Sequence, residues 1–227
     1  METKQKSRRG KPSPKKIVIV DDHPLLRKGL STVINQTSDL AVVGEAEDAK
    51  TAMALIETAR PDLVIVDISL PGIDGIELIT TIKIHHADLP TLVVSMHDEF
   101  LFAERALSAG ARGYIMKQEA LEKILVAIHR ILEGKIFVSE NIATKIIEKL
   151  VDGDQDKNTS PIGILSNREF TVFQLIGQGV QTRQIAESLN ISGKTVESYR
   201  ANIKEKLKLT NAKELMKFAV LWVQNNA

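Results

Sequence analysis

The sequence predicts an α/β doubly wound, five-stranded parallel sheet followed by a small all-α helix-turn-helix domain. Three observations carry this. Short apolar runs alternate five times with helical stretches between Ile17 and Leu132, the repeat expected of a parallel sheet with helices on both faces. A polar, turn-rich stretch follows at 151–163, with too little apolar surface to pack. Beyond it come several short helical segments rather than further strands.

Taken in order, residues 1–14 are basic and contain two prolines, with no apolar residue after Met1, and read as a mobile tail. IVIV (17–20) is a buried strand, and Pro24 suits the first position of the helix that runs to about Ile34. LAVVGEA (40–46) is the second strand, and Asp48 caps the amphipathic helix 48–59. LVIVD (63–67) is the third strand. Its apolar run is continuous, as in strands buried on both faces. A helix from about Asp74 to Ile84, the strand TLVVS (91–95), a helix from Glu99 to Ser108, the strand GYIMK (113–117) and a helix from Glu119 to Leu132 complete the series. One domain thus covers residues 15–136, and residues 137–163 form a linker with a short helix at 140–150. In the final domain, 164–227, Ser166 and Glu169 form a capping box, and Gly177 and Gly179 end the helix in left-handed positions. Helices at 182–189, 194–207 and 212–223 follow.

Composition narrows the chemistry. The 227 residues include no cysteine, which excludes disulfides, thiolate metal sites and cysteine nucleophiles. No apolar run approaches the ~18 residues of a membrane span, and the N-terminus has no hydrophobic signal core, so no membrane is expected and the compartment expected is the cytoplasm. The net charge of +1 conceals an uneven spread. Residues 17–137 carry 11 basic against 18 acidic side chains, and residues 161–227 carry 9 against 5. An acidic body joined to a basic C-terminal piece points to metal or phosphate handling in one and a polyanion in the other.

The acidic residues concentrate at strand ends. Asp21 and Asp22 close the first strand and Asp67 closes the third, so parallel neighbours would bring three carboxylates together where open parallel sheets bind ligands. Three negative charges need a cation. Mg²⁺ takes oxygen ligands and binds through one or two carboxylates plus phosphate oxygens. Ser95 at the end of the fourth strand and Lys117 after the fifth add a hydroxyl and a positive charge that can hold phosphoryl oxygens. This set (DD at strand one, D-x-x-x-P-G after strand three, Ser at strand four, Lys at strand five) resembles the receiver domain of bacterial response regulators over about residues 15–136. The resemblance implies the strand order 2-1-3-4-5 and makes Asp67 the phosphate acceptor. Asp22, Asp21 (largely through water) and the backbone carbonyl of Ser69 would then be Mg²⁺ ligands. It also implies that Lys117 pairs with the phosphate, that Ser95 bonds it and moves toward it, and that Tyr114 turns inward behind it. His97, two places beyond Ser95, stands where it can tune the phosphate's lifetime.

On a helical wheel of KTVESYRANIKEKL, Val196, Ile203 and Leu207 share one face while Lys194, Glu197, Ser198 and Ala201 lie opposite. Small and polar side chains at the N-terminal half of such a helix fit a DNA major groove. The wider pattern LSNREFTVFQLIGQGVQTRQIAESLNISGKTVESYRANIKEKLKLTN resembles the DNA-binding domain of the LuxR and NarL class. The resemblance implies base contacts for Glu197, Ser198 and Ala201 and backbone contacts for Lys194, Thr195, Asn202 and Lys206. Asn167, Asn190 and Glu197 depart from residues common in that class. Glu197 can accept from cytosine N4 but repels phosphates. The last helix is apolar along two lines. Leu215, Phe218, Ala219 and Trp222 form one; Met216, Val220 and Val223 form another, on which a dimer contact is expected.

Three rivals stand beside this reading, one of them a phosphorylation-indifferent DNA-binding protein with a relic receiver, whose operator affinity acetyl phosphate would leave unchanged. SGKT at 192–195 does not complete a nucleotide-binding phosphate loop, because Ser188 stands where that motif demands glycine. An aspartyl-nucleophile, Mg²⁺-dependent phosphatase would need a second acid or base near Asp67, and none is visible. The sequence therefore implies a phosphorylation-dependent transcription regulator rather than an enzyme, beyond self-phosphorylation and self-dephosphorylation at Asp67. Its expected partners are a sensor histidine kinase, double-stranded promoter DNA and, once phosphorylated, a second copy of itself.

Overall fold

The computed structural model describes residues 13–151 and 161–226. Most of the basic tail (1–12) and part of the polar linker (152–160) lie outside the described residues. The chain divides into two compact units between Ile142 and Ala143.

The first unit alternates β1 (Lys15–Val20), α1 (Pro24–Asn35), β2 (Leu40–Ala46), α2 (Ala49–Ala59), β3 (Leu63–Val66), α3 (Gly75–His85), β4 (Thr91–Ser95), α4 (Glu99–Ala109), β5 (Gly113–Met116) and α5 (Ala120–Leu132), with a 3₁₀ turn at Lys117–Glu119. All pairings are parallel and the strand order is β2-β1-β3-β4-β5, the doubly wound arrangement expected. Successive side chains of a strand point to opposite faces. Ile17, Ile19, Leu63, Ile65, Leu92 and Val94 therefore share one face, where they join Leu30 and Ile34 of α1 and Ile124, Ala127, Ile128 and Ile131 of α5 in a buried core. On the opposite face Val18 and Leu55 of α2 both lie close to the Cβ position of Gly44, at 3.6 and 3.2 Å.

Local chemistry fixes the helix starts. Pro24 opens α1; Asp48 accepts from the Thr51 N–H (2.7 Å) at α2, and Asp74 from Ile76 and Glu77 (2.8 and 3.0 Å) at α3. The structure adds a feature to the chain after α5. Phe137 bridges to Gly113 at the outer edge of the sheet: its N–H donates to Arg112 and its carbonyl accepts from Tyr114, both at 2.9 Å. Ser139 then donates to Glu99 at the start of α4 (2.8 Å) and accepts from the Ile142 N–H, ahead of α6 (Glu140–Val151). The first residues after position 136 thus pack as part of the first unit.

The second unit holds a 3₁₀ turn (Pro161–Ile164) and helices α7 (Asn167–Gly177), α8 (Thr182–Ser188), α9 (Gly193–Lys206) and α10 (Ala212–Asn226). Its core comprises Phe170, Val172, Phe173 and Ile176 of α7, Ile185 of α8, Val196 and Ile203 of α9, and Leu215 and Ala219 of α10. Trp222 meets Phe170 and Phe173 edge-on, with centroids 5.4 and 5.9 Å apart. The capping box forms: the Glu169 N–H donates to Ser166 Oγ, and the Ser166 N–H donates to Glu169 Oε2. One expectation needs correction. Gly179 is left-handed (φ 79°), but Gly177 is the last helical residue of α7. Its missing side chain serves packing instead, since a Cβ there would stand 2.5 Å from the Ala219 carbonyl oxygen of α10.

Candidate phosphate and metal site, and candidate DNA-reading face

The acidic site follows from register. Val20 and Val66 are partners across β1 and β3, so the next residue of each strand, Asp21 and Asp67, leaves the sheet side by side. The Asp67 N–H still donates to the Val20 carbonyl (2.8 Å), and the Asp21 N–H to that of Ala46 (3.1 Å). Both carboxylates are buried, at 2% and 1% exposure. Asp22 is partly exposed at the rim. Lys117 crosses from the end of β5 and ties the pair together, its Nζ 2.8 Å from Asp21 Oδ2 and 2.7 Å from Asp67 Oδ2.

Opposing forces set the protonation equilibria here. Burial pushes the Asp67 carboxyl above the usual range, and the nearby Asp21 charge adds to this; Lys117 pulls the other way but does not cancel it. Burial alone would lower Lys117, yet the charges of Asp67 and Asp21 hold it above its ordinary value. Three carboxylates facing one ammonium leave an excess of negative charge. Asp67 Oδ1 is buried without a hydrogen-bond partner. A buried carboxylate oxygen left unsatisfied is costly, and the donor set of Asp21, Asp22 and Asp67, all oxygen, fits a hard divalent cation such as Mg²⁺.

The remaining residues surround Asp67. Ser95, fully buried at the end of β4, accepts from the His97 N–H (3.2 Å). The ring of Tyr114, on β5, is buried with its hydroxyl donating to the His97 carbonyl (2.8 Å); burial pushes its phenol well above the ordinary value. His97 Nε2 lies 3.0 Å from Ser69 Oγ, and the imidazole stacks on Phe102 at 4.4 Å. The turn after β3 positions Asp67 closely. Gly72 is left-handed (φ 79°), as its Pro-Gly context predicts, and the Gly75 N–H donates to the Ile68 carbonyl (2.9 Å). A Cβ at Gly75 would stand 1.9 Å from the Asp67 carbonyl oxygen. Sequence reasoning missed Gly75, although a glycine directly after a helix-capping aspartate beside the site was the available signal. It also passed over His23, whose Nδ1 lies 2.6 Å from Asp22 Oδ1.

In the second unit α9 buries Val196 and Ile203, leaves Leu207 half-buried just beyond its end, and exposes Lys194, Glu197, Ser198, Ala201 and Asn202. Thr195 is half-buried and bonds Ser192, the cap of α9, through both its N–H (3.0 Å) and its hydroxyl (2.8 Å). Glu197 accepts from Thr182 Oγ1 (3.1 Å) and lies 3.7 Å from Arg200 Nε, so a cation and a hydroxyl temper its repulsion toward phosphates. Lys206 Nζ is 2.6 Å from buried Glu169, tying α9 to the capping box of α7. Asn190 occupies the turn before α9 with φ 51°, a left-handed conformation that asparagine tolerates. On α10, Leu215 and Ala219 are buried, Met216 is exposed and Val220 is half-buried. Val223 is also half-buried and turns in part to its own core, with its Cγ2 2.6 Å from the Cβ position of Gly177.

A doubly wound domain with acids and a lysine at its carboxyl edge, joined to a helix-turn-helix unit, defines a DNA-binding regulator controlled at an acidic site. Family comparison agrees for both units. Residues 17–129 match the response regulator receiver domain, and residues 163–219 match the bacterial regulatory proteins of the luxR family. The oxygen regulatory protein NreC of Staphylococcus epidermidis is 35% identical over 212 residues, 90% of this chain and 96% of that protein. A LuxR-family two-component response regulator from Aurantimonas sp. SI85-9A1 is similar in structure, with 38% identity, TM-score 0.57, and coverage of 61% of this chain and 99% of that one. RcsB of Salmonella enterica serovar Typhimurium, bound to promoter P1flhDC in the presence of phosphomimetic BeF3-, gives 29% identity and TM-score 0.55 over 91% of this chain and 98% of that one. The chain belongs to the response regulators of the NarL/FixJ type, phosphorylation-dependent transcription regulators that take phosphate from histidine kinases and bind DNA. Among the described residues, no helix is long and apolar enough to cross a membrane.

Proposed function

We propose that Asp67 is the phosphate acceptor of this regulator, acting in the cytoplasm, and that its phosphorylation favours a DNA-bound dimer. The carrying observation is the buried Asp67 carboxylate, flanked by Asp21 and Lys117, with one oxygen lacking a hydrogen-bond partner. In the transfer, a carboxylate oxygen of Asp67 bonds to phosphorus as the P–N bond of the kinase phosphohistidine breaks, and the leaving imidazole takes up a proton. Asp21, Asp22, Asp67 and the backbone carbonyl of Ser69 would hold Mg²⁺, which supplies neutralisation of charge on the phosphoryl group. Lys117 then pairs with the new phosphate and Ser95 donates to it. Movement of Ser95 shifts the His97 backbone that Ser95 and Tyr114 both hold, which gives the domain two arrangements for phosphate to choose between. The same carboxylate accounts for self-phosphorylation from small phosphodonors and for self-dephosphorylation.

On the DNA side, Lys194, Thr195, Asn202 and Lys206 contact the backbone while Glu197, Ser198 and Ala201 face base edges. An ammonium has three donors, so Lys206 can keep Glu169 and still reach a phosphate. Met216 and Val220 offer the dimer surface on α10, with Val223 at its inner margin.

Acetyl phosphate labelling tests the acceptor. Asp67→Asn should take up no acid-labile phosphate, and full labelling of that variant would overturn the assignment. Binding selections on random duplexes with and without acetyl phosphate test the output. Lys194→Ala should weaken all sequences alike and lower the salt dependence, whereas Ser198→Ala should change sequence preference.

A further inference from the structure

We propose that Glu197 selects cytosine, and that Thr182 on α8 and Arg200 on α9 are positioning residues that aim its carboxylate. This rests on the reading that α9 enters the major groove. Arg200 Nη1 donates to Thr182 Oγ1 (3.2 Å), and Thr182 Oγ1 donates to Glu197 Oε1 (3.1 Å). A guanidinium only donates and an ionised carboxylate only accepts, so the single hydroxyl proton between them has a fixed direction. Arg200 Nε stands 3.7 Å from the same Oε1.

An exposed ion pair one turn apart on a helix holds its partners only weakly. The Thr182 bond differs because it comes from a second helix, 15 positions away in sequence. It fixes the carboxylate before DNA arrives, which lowers the ordering cost of binding. Both contacts fall on Oε1, leaving Oε2 to accept from a base.

The neighbouring side chains share this polarity. Ser198 Oγ donates to the Lys194 carbonyl (3.1 Å), so its only proton is spent within the helix and it presents lone pairs outward. Ala201 is exposed and offers a methyl group alone. Lys194, the cation of this face, belongs to the backbone phosphates in the same reading. In the major groove guanine shows two acceptors, N7 and O6, and thymine shows O4, all of which repel a carboxylate. Adenine offers its N6 amino group, but beside the N7 acceptor. Cytosine offers its N4 amino group alone. A fixed carboxylate beside a hydroxyl with no spare proton therefore takes cytosine first and rejects guanine and thymine.

Random-duplex selection with the full-length, acetyl phosphate-treated protein tests this in the wild type, Glu197→Ala, Thr182→Val, Thr182→Ser and Ser198→Ala. The wild type should enrich cytosine at a position where Glu197→Ala loses the preference. Thr182→Val should weaken the same enrichment and Thr182→Ser should keep it, a rescue that follows the hydroxyl rather than the fold. In the selected duplex, N4-methylcytosine at that position replaces the amino hydrogen facing the groove and keeps the paired one. It should weaken the wild type about fivefold or more, the lower end for a base contact, and leave Glu197→Ala unchanged. Identical preferences in the wild type and Glu197→Ala, or equal weakening of both by the methyl group, overturn the selector. Undiminished cytosine enrichment in Thr182→Val overturns the positioning role. In either case a preference altered by Ser198→Ala leaves α9 standing as the reading helix, whereas a wild type that enriches no sequence overturns both readings.

Discussion

At the scale of single residues, two carboxylates illustrate opposite uses of burial. Asp67 is held above its ordinary range, so as pH rises the unfolded chain gives up its proton first. Stability is then lost between the ordinary carboxylate range and the higher folded value. Asp67→Asn should remove that decline and raise the melting midpoint at pH 7 by a few degrees, even as it abolishes phosphate uptake, a common trade at functional sites. Thermal unfolding at several pH values checks this. Glu169 behaves in the reverse sense. Burial would raise it, but the bond from Lys206 and the Ser166 N–H outweigh burial and hold it low. Its contribution is present above the ordinary glutamate range and lost as pH falls through the depressed folded value. Glu169→Gln should cost roughly 1–3 kcal/mol near neutrality, and the difference from wild type in denaturant melts should shrink in acid.

At the scale of elements, two glycines set how closely backbones approach. Gly75 places the start of α3 against the carbonyl of Asp67. Gly75→Ala must displace that backbone, and a shift of about 1 Å at a reacting group costs on the order of a hundredfold in rate. Labelling time courses with acetyl phosphate should show that loss. Gly177 plays the equivalent part between α7 and α10, and Gly177→Ala should destabilise the second unit by about 1–3 kcal/mol through overpacking. These positions also show why some of the architecture was legible in the sequence and some was not. Continuous apolar runs ending in Asp or Ser marked β1, β3 and β4, because local pattern and capping chemistry specify strands and helix ends together. The Pro-Gly pair of the D-x-x-x-P-G set marked the turn that holds left-handed Gly72 for the same reason, since such a turn is a local requirement. Gly177 looked like a helix terminator because the helix it must admit lies some forty residues further along. The Lys206–Glu169 pair was hidden likewise, as spacing along α9 marks Lys206 as outward-facing but not which acid waits there.

For the whole molecule, a doubly wound unit and a helical unit divide sensing from reading. The acidic excess of the first and the basic excess of the second follow from what each must hold. If the two act as a population shift, acetyl phosphate should tighten binding of the wild type to a selected duplex and leave Asp67→Asn unchanged. Mobility-shift titrations with and without the phosphodonor measure this directly, and equal affinities for the wild type would sever the two halves of the mechanism.

The small bridge that Phe137 makes with Gly113 bears on where the protein can be cut. β5 is the last strand of its sheet, and Phe137 occupies its outer hydrogen-bonding groups. A fragment stopped at Ile136 would bare that margin, and naked strand margins recruit other chains. Light scattering should find a fragment of residues 13–136 self-associating at concentrations where one of residues 13–142 stays monodisperse.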